Sequence, residues 1–213
     1  NYRDIPGNQR PLGIVRGQAL QATIIVAGVP GVGKTTILQE LEAVAKERKV
    51  PLKIVNFGNV MNELFKKRGV EIHRDHMRKE DITLQARIQE QAARMISKTP
   101  GNSALVVDTH MFVRANDGIW PGTPRKVLEA LDQSMIILIE ADPEEVARRR
   151  AADTTRYRDS QNLEDAKADL QWSRNMASAI AVLAGVPIQI LQNQNGQQRQ
   201  SAEELLRIIE KRN

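Results

Sequence analysis

The sequence predicts a three-layer α/β domain around a five-stranded parallel sheet, and three observations support this fold. Short apolar runs rich in β-branched residues recur at Thr23–Ala27, Leu52–Phe57, Ala104–Val107, Met135–Ala141 and Pro187–Leu191. Each run is nearly continuous, as expected of strands covered on both faces. The stretches between them carry helical spacing, and a glycine-rich turn separates the first run from the first helix.

The elements follow in order. Residues 1–21 hold Pro6, Gly7, Pro11, Gly13 and Gly17 without a period, and read as a poorly ordered basic tail. Residues 22–213 read as one domain, with no internal repeat. Lys34–Lys49 places Ile37, Leu38, Leu41, Val44 and Ala45 on one helical stripe. Gly58 is expected to end the second strand, and Asn59 to cap a helix running to Gly69. Leu84, Ile88, Ala92, Met95 and Ile96 form a further stripe. Asp142 can cap a helix entered at Pro143, with Glu144 and Glu145 in its first turn and arginines at its end. Asn162 opens a long helix through Ala184, closed by Gly185 with Pro187 beyond.

Composition narrows the class. The chain has 213 residues, 41% hydrophobic but only 3% aromatic, so its core must come from Ile, Leu, Val, Ala and Met. No apolar run approaches the roughly 20 residues that span a bilayer, and no charged-then-apolar leader is evident. With no Cys, disulfides and thiolate metal sites are excluded, which suits a reducing, cytoplasmic setting. Lys and Arg exceed Asp and Glu by 31 to 26. No basic tract interleaved with aromatics appears, so the surplus points to a compact anionic ligand rather than nucleic acid.

The turn supplies a site for such a ligand. Gly28-Val29-Pro30-Gly31-Val32-Gly33-Lys34-Thr35, followed by Thr36, matches G-x-x-x-x-G-K-[ST] at every fixed position. Glycines let the backbone turn its N–H groups onto phosphates, and the following helix adds the positive end of its dipole. Lys34 is placed to reach the β- and γ-phosphates of ATP, and the Thr35 hydroxyl to ligate Mg²⁺. The expected fold is therefore that of the P-loop NTPases. Asp108, at the end of the run Leu105–Val107, is the matching acid for Mg²⁺; a turn or cap aspartate is the structural alternative.

Phosphoryl transfer needs cations over the transferring group. Arg148, Arg149 and Arg150 close one predicted helix, where dipole complementation accounts for at least two of them. Arg156 and Arg158 fall in an aperiodic stretch expected to be a short lid, about residues 149–162. An acceptor-binding insertion is expected at about 58–100, where Arg74 and Arg78 could meet an acceptor phosphate or form an exposed salt-bridged turn. His73 and His76 are spaced for a metal but lack partners and read as surface. His110 can line the cleft.

The chain then resembles the archaeal-type adenylate kinases from residue 22 to the end. The resemblance rests on GVPGVGKTT at 28–36, NFGNVM at 56–61, RDHMRK at 74–79 and VDTH at 107–110, with WPGTP at 120–124, EADP at 140–143 and DTTRYRD at 153–159. It implies transfer from ATP·Mg²⁺ to AMP, giving two ADP without a covalent intermediate, and often a homotrimer. It assigns donor phosphates to Lys34 and the loop amides, the transferring group to Arg149, Arg156 and Arg158, and the AMP phosphate to Arg78. The family usually carries an acid where this chain has Asn59, so a negative charge is lost beside the acceptor pocket. Two other readings share the motif: a P-loop kinase for another small acceptor, and an ATP-driven assembly factor that binds RNA or protein.

Overall fold

A computed structural model of the chain describes residues 22–69, 82–99, 103–115, 118–153 and 162–212. In chain order the elements are β1 (Thr23–Ala27), α1 (Lys34–Glu47), β2 (Leu52–Asn56), α2 (Phe57–Lys67), α3 (Ile82–Ser97), β3 (Ala104–Thr109), β4 (Phe112–Ala115) and β5 (Gly118–Pro121). They continue with α4 (Arg125–Leu131), β6 (Met135–Glu140), α5 (Pro143–Ala152), α6 (Leu163–Ala184), β7 (Ile188–Gln192) and α7 (Gln198–Glu210). The main sheet has the order β2-β3-β1-β6-β7, and every pairing in it is parallel. The five expected runs supply these five strands.

Burial on both faces explains the continuous apolar runs. Alternate side chains of β1, β3 and β6 feed two separate cores. Ile24, Val26, Val106 and Ile137 pack with α1 and α7 on one side. Ile25, Val107, Ile136 and Leu138 pack with α2, α3 and α4 on the other. Ile137 is fully buried in the first core. Ile137→Ala should therefore cost about 2–5 kcal/mol in urea unfolding, with an unchanged denaturant slope. A loss below about 1 kcal/mol would contradict the packing described.

Three local expectations are corrected. The second strand ends at Asn56, and Phe57 already begins α2. Asn56, not Asn59, is the cap: its Oδ1 accepts the backbone N–H of Asn59 at 2.9 Å. Gly58 and Asn59 thus lie in the first turn of α2. Met95 is 43% exposed, and Ala93 takes the buried position beside Ala92. An antiparallel hairpin, β4–β5, occupies a stretch that carried no element in the sequence reading. It closes tightly onto the end of β3. Gly122 N donates to Met111 O at 2.8 Å, and a Cβ at Gly122 would lie 2.0 Å from the His110 carbonyl oxygen.

The remaining caps fall where expected. Asp142 accepts from Glu144 N, Asn162 from Asp165 N, and Gly185 closes α6 in the left-handed conformation. No described helix is long and apolar enough to cross a membrane. β7 lies at one edge of the main sheet, with Ile188 and Ile190 exposed.

Candidate active site

β1 runs into the glycine-rich turn and α1 starts at Lys34, so the N-terminal end of α1 borders an open cleft of about 740 Å³. Gly31 and Gly33 hold φ of 95° and 85°, a region costly for any side chain. Three successive carbonyls of the turn are held by side chains distant in sequence, Arg150 and Asn193 from outside the cleft. Arg150 Nε donates to Pro30 O at 2.8 Å, Arg149 Nη1 to Gly31 O at 3.3 Å, and Asn193 Nδ2 to Val32 O at 2.7 Å. In a planar trans peptide the next N–H opposes each carbonyl. Fixing the Pro30 and Val32 carbonyls outward therefore turns the amides of Gly31 and Gly33 to the inside of the loop.

Beneath the loop, Lys34 Nζ forms a buried ion pair with Asp108 Oδ1. Strand register places Asn56 directly beside Asp108, and Asn56 Nδ2 donates to Asp108 Oδ2 at 2.5 Å. Asn56 thus caps α2 with its oxygen and holds Asp108 with its nitrogen. Asp108 lies within β3 and is neither a helix cap nor a turn residue. Thr35 and Asp108 line the same cleft, an oxygen donor pair suited to a hard cation such as Mg²⁺. Among the described residues no three His, Asp or Glu side chains gather as a metal cage.

A second layer fixes Asn193. Arg174 grips the buried Glu140 in a bidentate pair at 2.6 and 2.5 Å, which holds the guanidinium even more firmly charged than usual. Gln192 Nε2 joins Glu140 at 3.2 Å, and the Glu140 carbonyl accepts Asn193 N at 2.7 Å.

The nine residues expected around the phosphates divide by position. Val29, Pro30, Gly31, Gly33, Lys34 and Thr35 line the cleft. Val32 is buried in the core, and Thr36 is exposed on α1 outside the lining. Gly28 lets β6 approach, since a Cβ there would lie 2.7 Å from the Ile139 carbonyl oxygen. Arg149 reaches the cleft, as do His110 and Asn59. Arg148 instead pairs with Glu145 at 2.6 Å and holds that half-buried carboxyl below its ordinary range. Arg149 and Arg150 both bond the loop, so dipole complementation is not the main account of either. Residues 149–152, assigned to the lid in the sequence reading, complete α5. Arg78, Arg156 and Arg158 lie outside the described residues, as do His73, Arg74 and His76.

Residues 27–167 match the AAA domain family. The chain is 38% identical to the adenylate kinase of Methanococcus vannielii over 87% of its own length and 97% of the relative's. The adenylate kinase of Methanocaldococcus jannaschii is 37% identical with the same coverage, and that of Thermoplasma acidophilum 38%. The chain belongs to the adenylate kinase family. Among solved structures, shikimate kinase from Acinetobacter baumannii superposes with a TM-score of 0.56 at 17% identity, over 90% of this chain and 94% of that one. A likeness that remote shows the P-loop kinase fold alone, which is the three-layer α/β fold expected.

Sequence alone does not mark Arg150, Asn193, Asn56 or Asp169 as site residues. Asp169 left a signal, because a charge there falls on the buried stripe Ala166, Leu170, Ser173 and Ala177 of α6. Asn193 left none, lying in a polar Gln/Asn stretch whose members are alike in sequence.

Proposed function

We propose that this chain transfers the γ-phosphoryl group of ATP to AMP, reversibly and with Mg²⁺, giving two ADP. The observation that carries the reading is the loop with outward carbonyls set over Lys34 and Asp108, in a chain matching adenylate kinases nearly end to end. A phosphate oxygen of AMP would attack the γ-phosphorus as the bond to the β–γ bridging oxygen breaks, so no protein nucleophile is needed.

Roles follow from position and family. The inward amides of Gly31 and Gly33 would hold donor phosphates, with Val29 and Pro30 shaping the loop. Lys34 would leave Asp108 to follow the β- and γ-oxygens, whose negative charge replaces that of the carboxylate. Thr35 and Asp108 would hold Mg²⁺, which neutralises charge between the β- and γ-phosphates. Arg149 would join Arg156 and Arg158 over the transferring group, and Arg78 would bind the AMP phosphate. Replacing Arg156 or Arg158 by Ala should lower kcat by roughly 10²-fold. An unchanged kcat would reduce either one to surface charge. We further assign the chain to the cytoplasm and to a homotrimer, the latter on family likeness and open to light scattering.

The test mixes protein, ATP and Mg²⁺ with each nucleoside monophosphate in turn and follows ADP. Turnover with AMP far above the others is expected. Equal turnover with several monophosphates would assign a broader acceptor range, to which the neutral Asn59 would contribute. No turnover with any would refute the reading.

A further inference from the structure

We propose that Asp169 is a positioning residue for phosphoryl transfer, holding the phosphate loop through Arg150 and the hairpin that follows Asp108 through Arg114. The proposal rests on the kinase reading above. Asp169 sits about a third of the way along α6 with its side chain 9% exposed, and the side chain of Arg150 is 2% exposed. Oδ2 pairs with Arg150 Nη1 at 2.9 Å. Oδ1 accepts from Arg114 Nη2 at 2.5 Å and Nε at 3.2 Å. Arg150 Nε in turn bonds the Pro30 carbonyl at 2.8 Å. Arg114 lies on β4, whose first residue, Phe112, is four positions after Asp108.

Packing alone does not call for this arrangement. A buried ionic cluster is often no more stable than apolar side chains of the same shape, because desolvation offsets the attraction. What it adds is direction. The planar guanidinium of Arg150 fixes its distance and angle to Asp169 and to Pro30 at the same time. One carboxylate thereby sets the phosphate loop against the backbone that carries Asp108. It also steadies the end of α5, where Arg149 enters the cleft. Misplacement of reacting groups by an ångström is enough to slow transfer strongly.

Arg150→Lys is the decisive variant. It keeps a cation facing Asp169 but gives up the fork that also reaches Pro30. Asp169→Asn removes the charge at constant shape. Ser173→Ala, one turn along α6 on the same buried face and without a hydrogen-bond partner among the described residues, is the control for packing. Each variant is assayed where circular dichroism shows it folded, and ATP·Mg²⁺ binding is measured separately by calorimetry. We expect kcat/KM for ATP to fall by about tenfold or more in Arg150→Lys, with weaker ATP binding, an unchanged KM for AMP and normal Ser173→Ala. Donor parameters within twofold of wild type in Arg150→Lys would overturn the proposal. So would losses that fall equally on ATP and AMP parameters in step with the folded fraction. If Asp169→Asn does not fold, Arg150→Lys decides alone. The calorimetric arm does not depend on the acceptor, so failure of the kinase reading remains distinguishable.

Discussion

Lys34→Met is expected to lower turnover by about 10²- to 10³-fold, the usual loss when one preorganised charge partner of the transition state is removed. The stability cost should be small beside that. Lys34 is buried against Asp108, so its loss leaves a carboxylate short of a partner, worth about 1–3 kcal/mol. Asp108 keeps Asn56 and faces the open cleft, where water can reach it, which favours the lower end of that range. Methionine also matches the aliphatic stem of lysine and removes the cost of burying an ammonium group. Paired measurements of kcat and urea midpoint separate the two effects. Near-normal turnover would remove Lys34 from the mechanism, and a stability loss that matched the activity loss would make the ion pair structural.

Gly33→Ala should be the second severe change, for two physical reasons that add. The residue holds φ 85° and ψ 17°, a conformation that costs an L-residue about 1–2 kcal/mol. Its Cβ would also lie 2.3 Å from Asn193 Nδ2 and 3.3 Å from Arg149 Nη1. Asn193 cannot give way freely, because its backbone is tied to Glu140 and its amide holds the Val32 carbonyl. The clash therefore loosens the clamps on the loop, and kcat/KM for ATP should fall by about 10²-fold. Gly185→Ala is the matched control. It has φ 66° with nothing within 4 Å of a Cβ, so it should lose stability at the end of α6 and leave kinetics untouched. Equal kinetics in the two variants would show that the clamp on the loop has no bearing on donor binding.

Much of the donor side was legible because its physics is local. A strand, glycines at fixed spacing and an amphipathic helix lie within 25 residues, and the stripe Ile37, Leu38, Leu41, Val44 and Ala45 is buried as its spacing requires. Asn56 and Asn59 were harder to separate. Either can cap a helix, and only the pairing of β2 with β3 shows that Asn56 is also needed at Asp108. The hairpin was hidden for a different reason. Its strands are four residues each, mix Arg, Gly and Pro with apolar residues, and are half exposed, so no period develops. Three consecutive arginines at the end of α5 each point about 100° apart, and sequence does not say which one faces inward. The partners that decide it, Pro30 and Asp169, are 120 positions before and 19 after Arg150.

The edge position of β7 also bears on how the protein will behave when heated. No charged residue occurs between Arg174 and Arg199, so the exposed Ile188 and Ile190 sit on an edge strand without the lysines that usually discourage strangers from pairing there. Once α6 and α7 loosen, this neutral stretch offers a template on which unfolded chains can join. Heat inactivation should then proceed by clumping and be irreversible. Its apparent midpoint will fall with protein concentration and rise with scan rate, and a lysine placed at Ile190 should restore recovery on cooling.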